Sequence, residues 1–194
     1  LDAARPVLAA VRREQADASR DDADGEVELL EPEAAARTGP APRHLHSEPW
    51  QEAEAMAAEI RAQLQRRGVR PGNIAVLCYP NRVKQRIFEG LQRRDILCQM
   101  HHSDSEIRLA DPSVKVLPMK SSKGLEFPVV MVMAAGRCFR QPHPEMDALE
   151  VRAWTAEMRR LSYVAMPRAM SELILVYPRH DPPPFLRAPT GEQG

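Results

Sequence analysis

Residues 73–100 read NIAVLCYPNRVKQRIFEGLQRRDILCQM, and the fold class follows from how this stretch divides. Asn73 to Cys78 is apolar almost throughout, as a strand covered on both faces of a parallel sheet requires. Arg82 to Arg94 places Val83, Ile87 and Leu91 on one helical stripe, and Ile96 to Met100 reads as a second strand. A strand, a helix and a strand in succession make a crossover unit, the connection that parallel strands need.

The flanking sequence repeats this alternation. Before it, Trp50, Ala53, Ala57, Ile60 and Leu64 step at helical spacing, with Ser47 and Pro49 as a start signal and Gly68 as a stop. After it come strands at Val114–Leu117, Val129–Ala134 and Leu173–Tyr177. A helix carrying Trp154, Met158, Leu161 and Ala165 precedes the last of them. Residues 101–113, 120–124 and 137–146 read as loops. Further out, Leu1–Arg13 has helical spacing, Val27–Leu30 reads as a short strand, Pro32–Pro42 as a loop and the tail from Pro178 as disordered. The expectation is an α/β fold with a mostly parallel sheet flanked by helices.

Composition narrows the class. The 194 residues suit about one domain, and 43% hydrophobic with 28% charged residues is a globular balance. The longest apolar run, Val129 to Ala135, is far below the ~18 residues a membrane helix needs. No membrane partner is expected. Twenty-seven basic and 27 acidic residues cancel, which excludes a binder living on bulk positive charge. Residues 14–33 alone carry nine acids and one base, so the rest of the chain is basic by eight charges. Three cysteines without a CxxC pair argue against a disulfide framework, and a reduced, cytoplasmic setting is expected. The chain opens at Leu1 with no leader-like segment and reads as a piece of a longer polypeptide.

Two stretches carry candidate chemistry. In open α/β sheets ligands collect at loops leaving the carboxyl ends of strands. VKVLPMKSSKGLEFPVV, residues 114–130, is strand, loop, strand, and holds three of the chain's four lysines (Lys115, Lys120 and Lys123) beside two hydroxyls. Gly124 lets backbone approach a ligand closely, and Glu126 can accept from sugar hydroxyls. EMRRLSYVAMPRA, residues 157–169, is a helix running into a strand.

VKVLPMKSSKGLEFPVVMV resembles motif V of the UvrD/Rep/PcrA-type superfamily I DNA helicases, and EMRRLSYVAMPRA resembles their motif VI. IAVLCYPNRVKQRIFEGLQRRDILCQMH is similar to the unit preceding that family's accessory insertion, and LDAARPVLAA to the helix after motif IV. The four segments stand in family order. The resemblance implies a C-terminal, second RecA-like (P-loop NTPase-like) motor domain over residues 1–177, with residues 101–113 in place of the accessory insertion.

What the resemblance implies for chemistry is specific. ATP with Mg2+ would sit between this domain and an N-terminal RecA-like motor domain of the same polypeptide. Arg168 would reach the γ-phosphate as catalytic residue, with Glu126 near the ribose and Gly124 shaping the turn. Lys120, Ser121 and Lys123 would contact single-stranded DNA, and Arg160 would be structural or coupling rather than catalytic. No GxxxxGK[ST] occurs in the chain, so by itself it is expected not to hydrolyse ATP. Pro118, Lys120 and Pro167 depart from the family's residues and motivate an alternative, a non-catalytic RecA-like interaction module.

Other residues invite plainer readings. Cys98, His101 and His102 lack the second ligand pair of a zinc site, so no metal is expected there. His44 and His46 alternate as on a strand and are read as surface histidines. Trp154 and Met158 are read as core, and the acidic run as a solvated loop.

Overall fold

In a computed structural model, residues 40–101, 107–133, 143–180 and 182 are described. The expectations for Leu1–Arg13, Val27–Leu30, His102, most of 137–146 and nearly all of the tail lie outside them. Six strands form one sheet: β1 (Arg43–His46), β2 (Ile74–Cys78), β3 (Cys98–Met100), β4 (Val114–Pro118), β5 (Phe127–Met133) and β6 (Ala169–Tyr177). Among the described residues three α-helices accompany them, α1 (Glu52–Arg66), α2 (Asn81–Gln92) and α3 (Ala148–Ala165). The sheet order is β1-β6-β5-β2-β4-β3, and every pairing is parallel.

Side chains alternate along the strands and build two cores. On one face Ala75, Leu77, Leu117, Val130, Val132, Leu173 and Leu175 pack against Met158, Leu161 and Ala165 of α3. On the other, Ile74, Val76, Val116, Val129, Met131 and Ile174 pack against Met56 and Ile60 of α1 and Val83, Ile87 and Leu91 of α2. Burial on both faces is why β2 and β5 are apolar without a break. The α/β reading is borne out. No helix among the described residues is long and apolar enough to cross a membrane.

Several boundaries differ from the sequence reading. β5 begins at Phe127, two residues early, with a register shift between Phe127 and Val129 around Pro128. A proline cannot donate to the ladder, and an irregularity is where a strand tolerates one. The His44/His46 alternation does mark a strand, β1, at the sheet edge. Trp50 is not on the buried stripe of α1: it stands in the preceding turn, 77% exposed. Ser47 does not cap that helix either, because its Oγ bonds the Glu48 carbonyl and Gln51 takes the cap position. Trp154 is half-buried against the first core. Cys78 is buried and Cys98 half-buried, and both are free thiols.

Candidate functional site

The residues singled out from sequence fall on two opposite edges of the sheet. At a rise of roughly 3.3 Å per residue, the seven-residue β5 separates those edges by about 20 Å.

The amino edge holds Glu126 and Arg168. Phe127 and Ala169 are register partners on the adjoining strands β5 and β6. Glu126 and Arg168 are the residues just before them, at the entries to neighbouring strands. Helix α3 ends at Ala165, and a single 3-10 turn, Met166–Arg168, delivers Arg168 to the strand. Pro167 is the second residue of that turn, still in the first turn of a helix, where a missing N–H is tolerated. Arg168 is half-buried, its Nε is fully covered, and it meets no hydrogen-bond partner among the described residues. Glu126 is exposed. Upstream, Gly124 has φ +80, and a Cβ there would meet nothing within 4 Å. Its glycine is required by the backbone, not by crowding.

This placement corrects one expectation. Loops leaving carboxyl ends were the anticipated location for the whole site, yet Glu126 and Arg168 stand where strands begin. β4 and β5 both run parallel to β2, so the chain after β4 must travel back along the sheet before β5 starts. Motif residues six apart in sequence therefore land on opposite edges.

The carboxyl edge holds Lys120 and Ser121, and Lys123, at most ~10 Å from Glu126 by chain length, lies on the way back from it. Met119 N–H donates to the Cys78 carbonyl at 3.0 Å, tying the end of β4 to the end of β2. A 3-10 turn, Lys120–Ser122, follows, and the buried Ser122 hydroxyl donates to the Met119 carbonyl at 2.7 Å. Lys120 and Lys123 point into solvent, and Ser121 is half-buried. Lys120 Nζ pairs with Glu157 Oε1 of α3 at 2.7 Å. The hydrogen bond to that carboxylate, helped by its charge, holds the Lys120 ammonium above its ordinary pKa. Glu157 was not singled out from sequence, although it opens the quoted stretch at 157–169.

Two charged clusters were not read from sequence. Glu172 at the start of β6 accepts from Arg43 (2.7 Å), Arg67 (2.6 Å) and Gln63 (3.0 Å), locking β1, α1 and β6 together. Lys115, fully buried in β4, donates to Asp111 O, Ser113 Oγ and Gln99 Oε1 at 2.9, 3.0 and 3.2 Å. Burial pulls its pKa below the ordinary lysine value against the pull of Asp111. The lysine cluster satisfies itself, while the Glu172 cluster leaves the buried Gln63 Oε1 without a hydrogen-bond partner among the described residues. Among the described residues, no group of three or more His, Cys, Asp and Glu is arranged to hold a metal ion.

Comparison with known proteins bears on this arrangement. Residues 97–180 match the UvrD-like helicase C-terminal domain family, and the stretch includes every site residue named above. The resemblance of the motifs at 114–130 and 157–169 is thus borne out over that span. No curated protein matches the chain. Among solved structures, the C-terminal domain of a possible DNA helicase from Lactobacillus plantarum WCFS1 is similar at TM-score 0.57 and 20% identity. That likeness covers 78% of this chain and 81% of the other, and it shows the shared fold. The Hef helicase domain of Pyrococcus furiosus aligns at TM-score 0.40 and 17% identity, over 66% of this chain and 26% of that one. The C-terminal part of the Fun30 ATPase domain aligns at TM-score 0.40 and 9% identity, over 69% and 43%.

Proposed function

We propose that this chain is the second motor domain of an ATP-dependent superfamily I DNA helicase or translocase. It would complete, from outside, an ATP site held mainly by an N-terminal RecA-like partner domain. The observation that carries this reading is the pairing of Glu126 and Arg168 at the start of neighbouring strands. A half-buried arginine whose Nε has no partner among the described residues precedes one strand, and an exposed carboxylate precedes its neighbour. An always-charged fork suits a γ-phosphate on which charge builds, and the carboxylate suits ribose hydroxyls. Gly124 shapes the approach to Glu126. Magnesium would neutralise phosphate charge. No described residues here fit it, so it would be held by the partner's P-loop. On the opposite edge, Lys120 and Ser121, with Lys123 on the way back from it, would follow the backbone of a single DNA strand, with contacts that are salt-sensitive and nearly sequence-blind.

A second reading, a non-catalytic interaction module, draws on the Lys120–Glu157 ion pair. That pair engages the lysine the DNA reading needs, and Pro118 and Pro167 depart from the family's motifs. One experiment separates the two readings. ATP hydrolysis is measured for the polypeptide carrying both motor domains, with and without single-stranded DNA, beside Arg168→Ala. The motor reading expects DNA-stimulated turnover that falls about 10³-fold or more in the variant, with ATP binding nearly retained. Absent turnover in the unmodified protein supports the module. Equal loss of binding and turnover in the variant removes the finger role from Arg168.

A further inference from the structure

Among the described residues, Trp50 is the largest side chain left in water at the sheet edge that bears Lys120. It is 77% exposed, one of two tryptophans in the chain, and no core residue reaches it. The turn that presents it is fixed. Ser47 N–H donates to the Tyr177 carbonyl at 3.1 Å, tying the turn to the end of β6. Gln51 N–H closes it on the Glu48 carbonyl at 2.9 Å. Two residues on, Glu52 is buried in the first turn of α1 and pairs with Arg86 of α2. Because β1 runs parallel to the other strands, residues 47–51 emerge at the carboxyl edge, the edge that also carries residues 119–121.

A single strand offers two things in alternation, phosphates and flat unpaired bases. The loop at 119–123 has cations and hydroxyls for the first and nothing for the second. An indole held out by a stapled turn has the complementary chemistry, since every base has a π-face and stacking needs no sequence readout. Holding it ready also avoids the ordering cost of recruiting a mobile side chain. We infer that Trp50 is a nucleobase-stacking platform that extends the single-strand track along the carboxyl edge toward β1. The inference rests on the proposed reading of Lys120, Ser121 and Lys123 as a DNA track.

The test uses the whole chain and oligo(dT) as the probe. In a Trp154→Phe background Trp50 is the sole tryptophan, and its emission reports stacking directly. Affinity is measured in parallel by fluorescence anisotropy over a range of salt for the unmodified chain, Trp50→Ala, Trp50→Phe and Lys120→Ala. The expected result is quenching of Trp50 on binding and an affinity about tenfold or more weaker in Trp50→Ala, with the salt slope unchanged. Trp50→Phe should recover part of that loss. Lys120→Ala should instead flatten the slope by roughly 0.7 for one phosphate contact. Binding with unaltered Trp50 emission and an unweakened Trp50→Ala overturns the platform and leaves the track standing. Failure of the unmodified chain to bind oligo(dT) overturns both.

Discussion

Among the described histidines, His44 is the one whose proton affinity its surroundings lower. Its Nδ1 lies 2.6 Å from the Tyr177 hydroxyl, and its ring stacks on His46 with centroids 6.5 Å apart. Burial, helped by the neighbouring His46, lowers its pKa below the ordinary 6.5. In the window between the lowered value and 6.5 the unfolded chain binds more protons than the folded one. Stability therefore rises with pH through that window and is lost as pH falls below 6.5. In the protonated ring Nδ1 is a donor, so the Tyr177 hydroxyl oxygen would then have to accept from it. Chemical denaturation at pH 5 and pH 7 should show this loss, and His44→Phe, which keeps an aromatic against Tyr177, should reduce it. An unchanged pH slope in the variant would remove the role from His44. At this scale the sequence is only partly legible. The spacing of His44 and His46 announces a strand, but their shared partner Tyr177 lies more than a hundred residues away. Trp50 shows the converse failure: helical spacing places it on the α1 stripe, and only the turn at 47–51 shows that the helix starts too late to carry it inward.

Between elements, the closest approach of the two helices on the second face is fixed by one missing methyl. Gly90 of α2 sits so close to α1 that an added Cβ would stand 2.4 Å from Ala53 Cβ. Contact at that distance forces the helices apart, and overpacking of this kind costs ~1–3 kcal/mol, against which better helix propensity returns about 1 kcal/mol. Gly90→Ala should thus destabilise the chain by up to about 2 kcal/mol in equilibrium denaturation. Adding Ala53→Gly to that variant should recover most of the loss, which independent effects would not do. The elements themselves were largely legible. Unbroken apolar runs gave β2 and β5, and helical stripes gave α1, α2 and α3, because burial against a covered sheet leaves a strong periodic imprint. β1 left only the alternation of its two histidines: at the edge Leu45 alone packs against the second core. The early start of β5 was hidden by Pro128, which ordinarily argues against a strand. Glu172 could not be read as the fastening of β1 and α1 to β6, since its partners Arg43, Gln63 and Arg67 are remote in sequence.

For the whole molecule, the decisive feature is that one short connection between parallel strands spreads its motif over both edges of the sheet. Lys120 and Ser121 leave β4 at one edge, and Glu126 enters β5 at the other, where Arg168 precedes β6. In the proposed motor, one edge would sense nucleotide and the opposite edge would hold DNA. The buried strands β5 and β6 form a stiff body between them. Stiffness alone does not couple the edges: coupling needs an element with two arrangements that both ligands bias. In the proposed motor that element is the cleft to the partner domain. The chain by itself lacks it, and its two edges should therefore act independently. For oligo(dT) binding by the chain alone, Lys120→Ala should weaken affinity and Arg168→Ala should leave it unchanged. The double variant should match the sum of the single effects within about 0.3–0.5 kcal/mol, as for residues well beyond contact distance. In the two-domain polypeptide with ATP present, the same cycle should depart from additivity by about 1–3 kcal/mol, the usual scale of coupling between sites. Additivity in both settings would mean that cleft closure does not link the edges. Non-additivity in the chain alone would place the switching element inside this sheet.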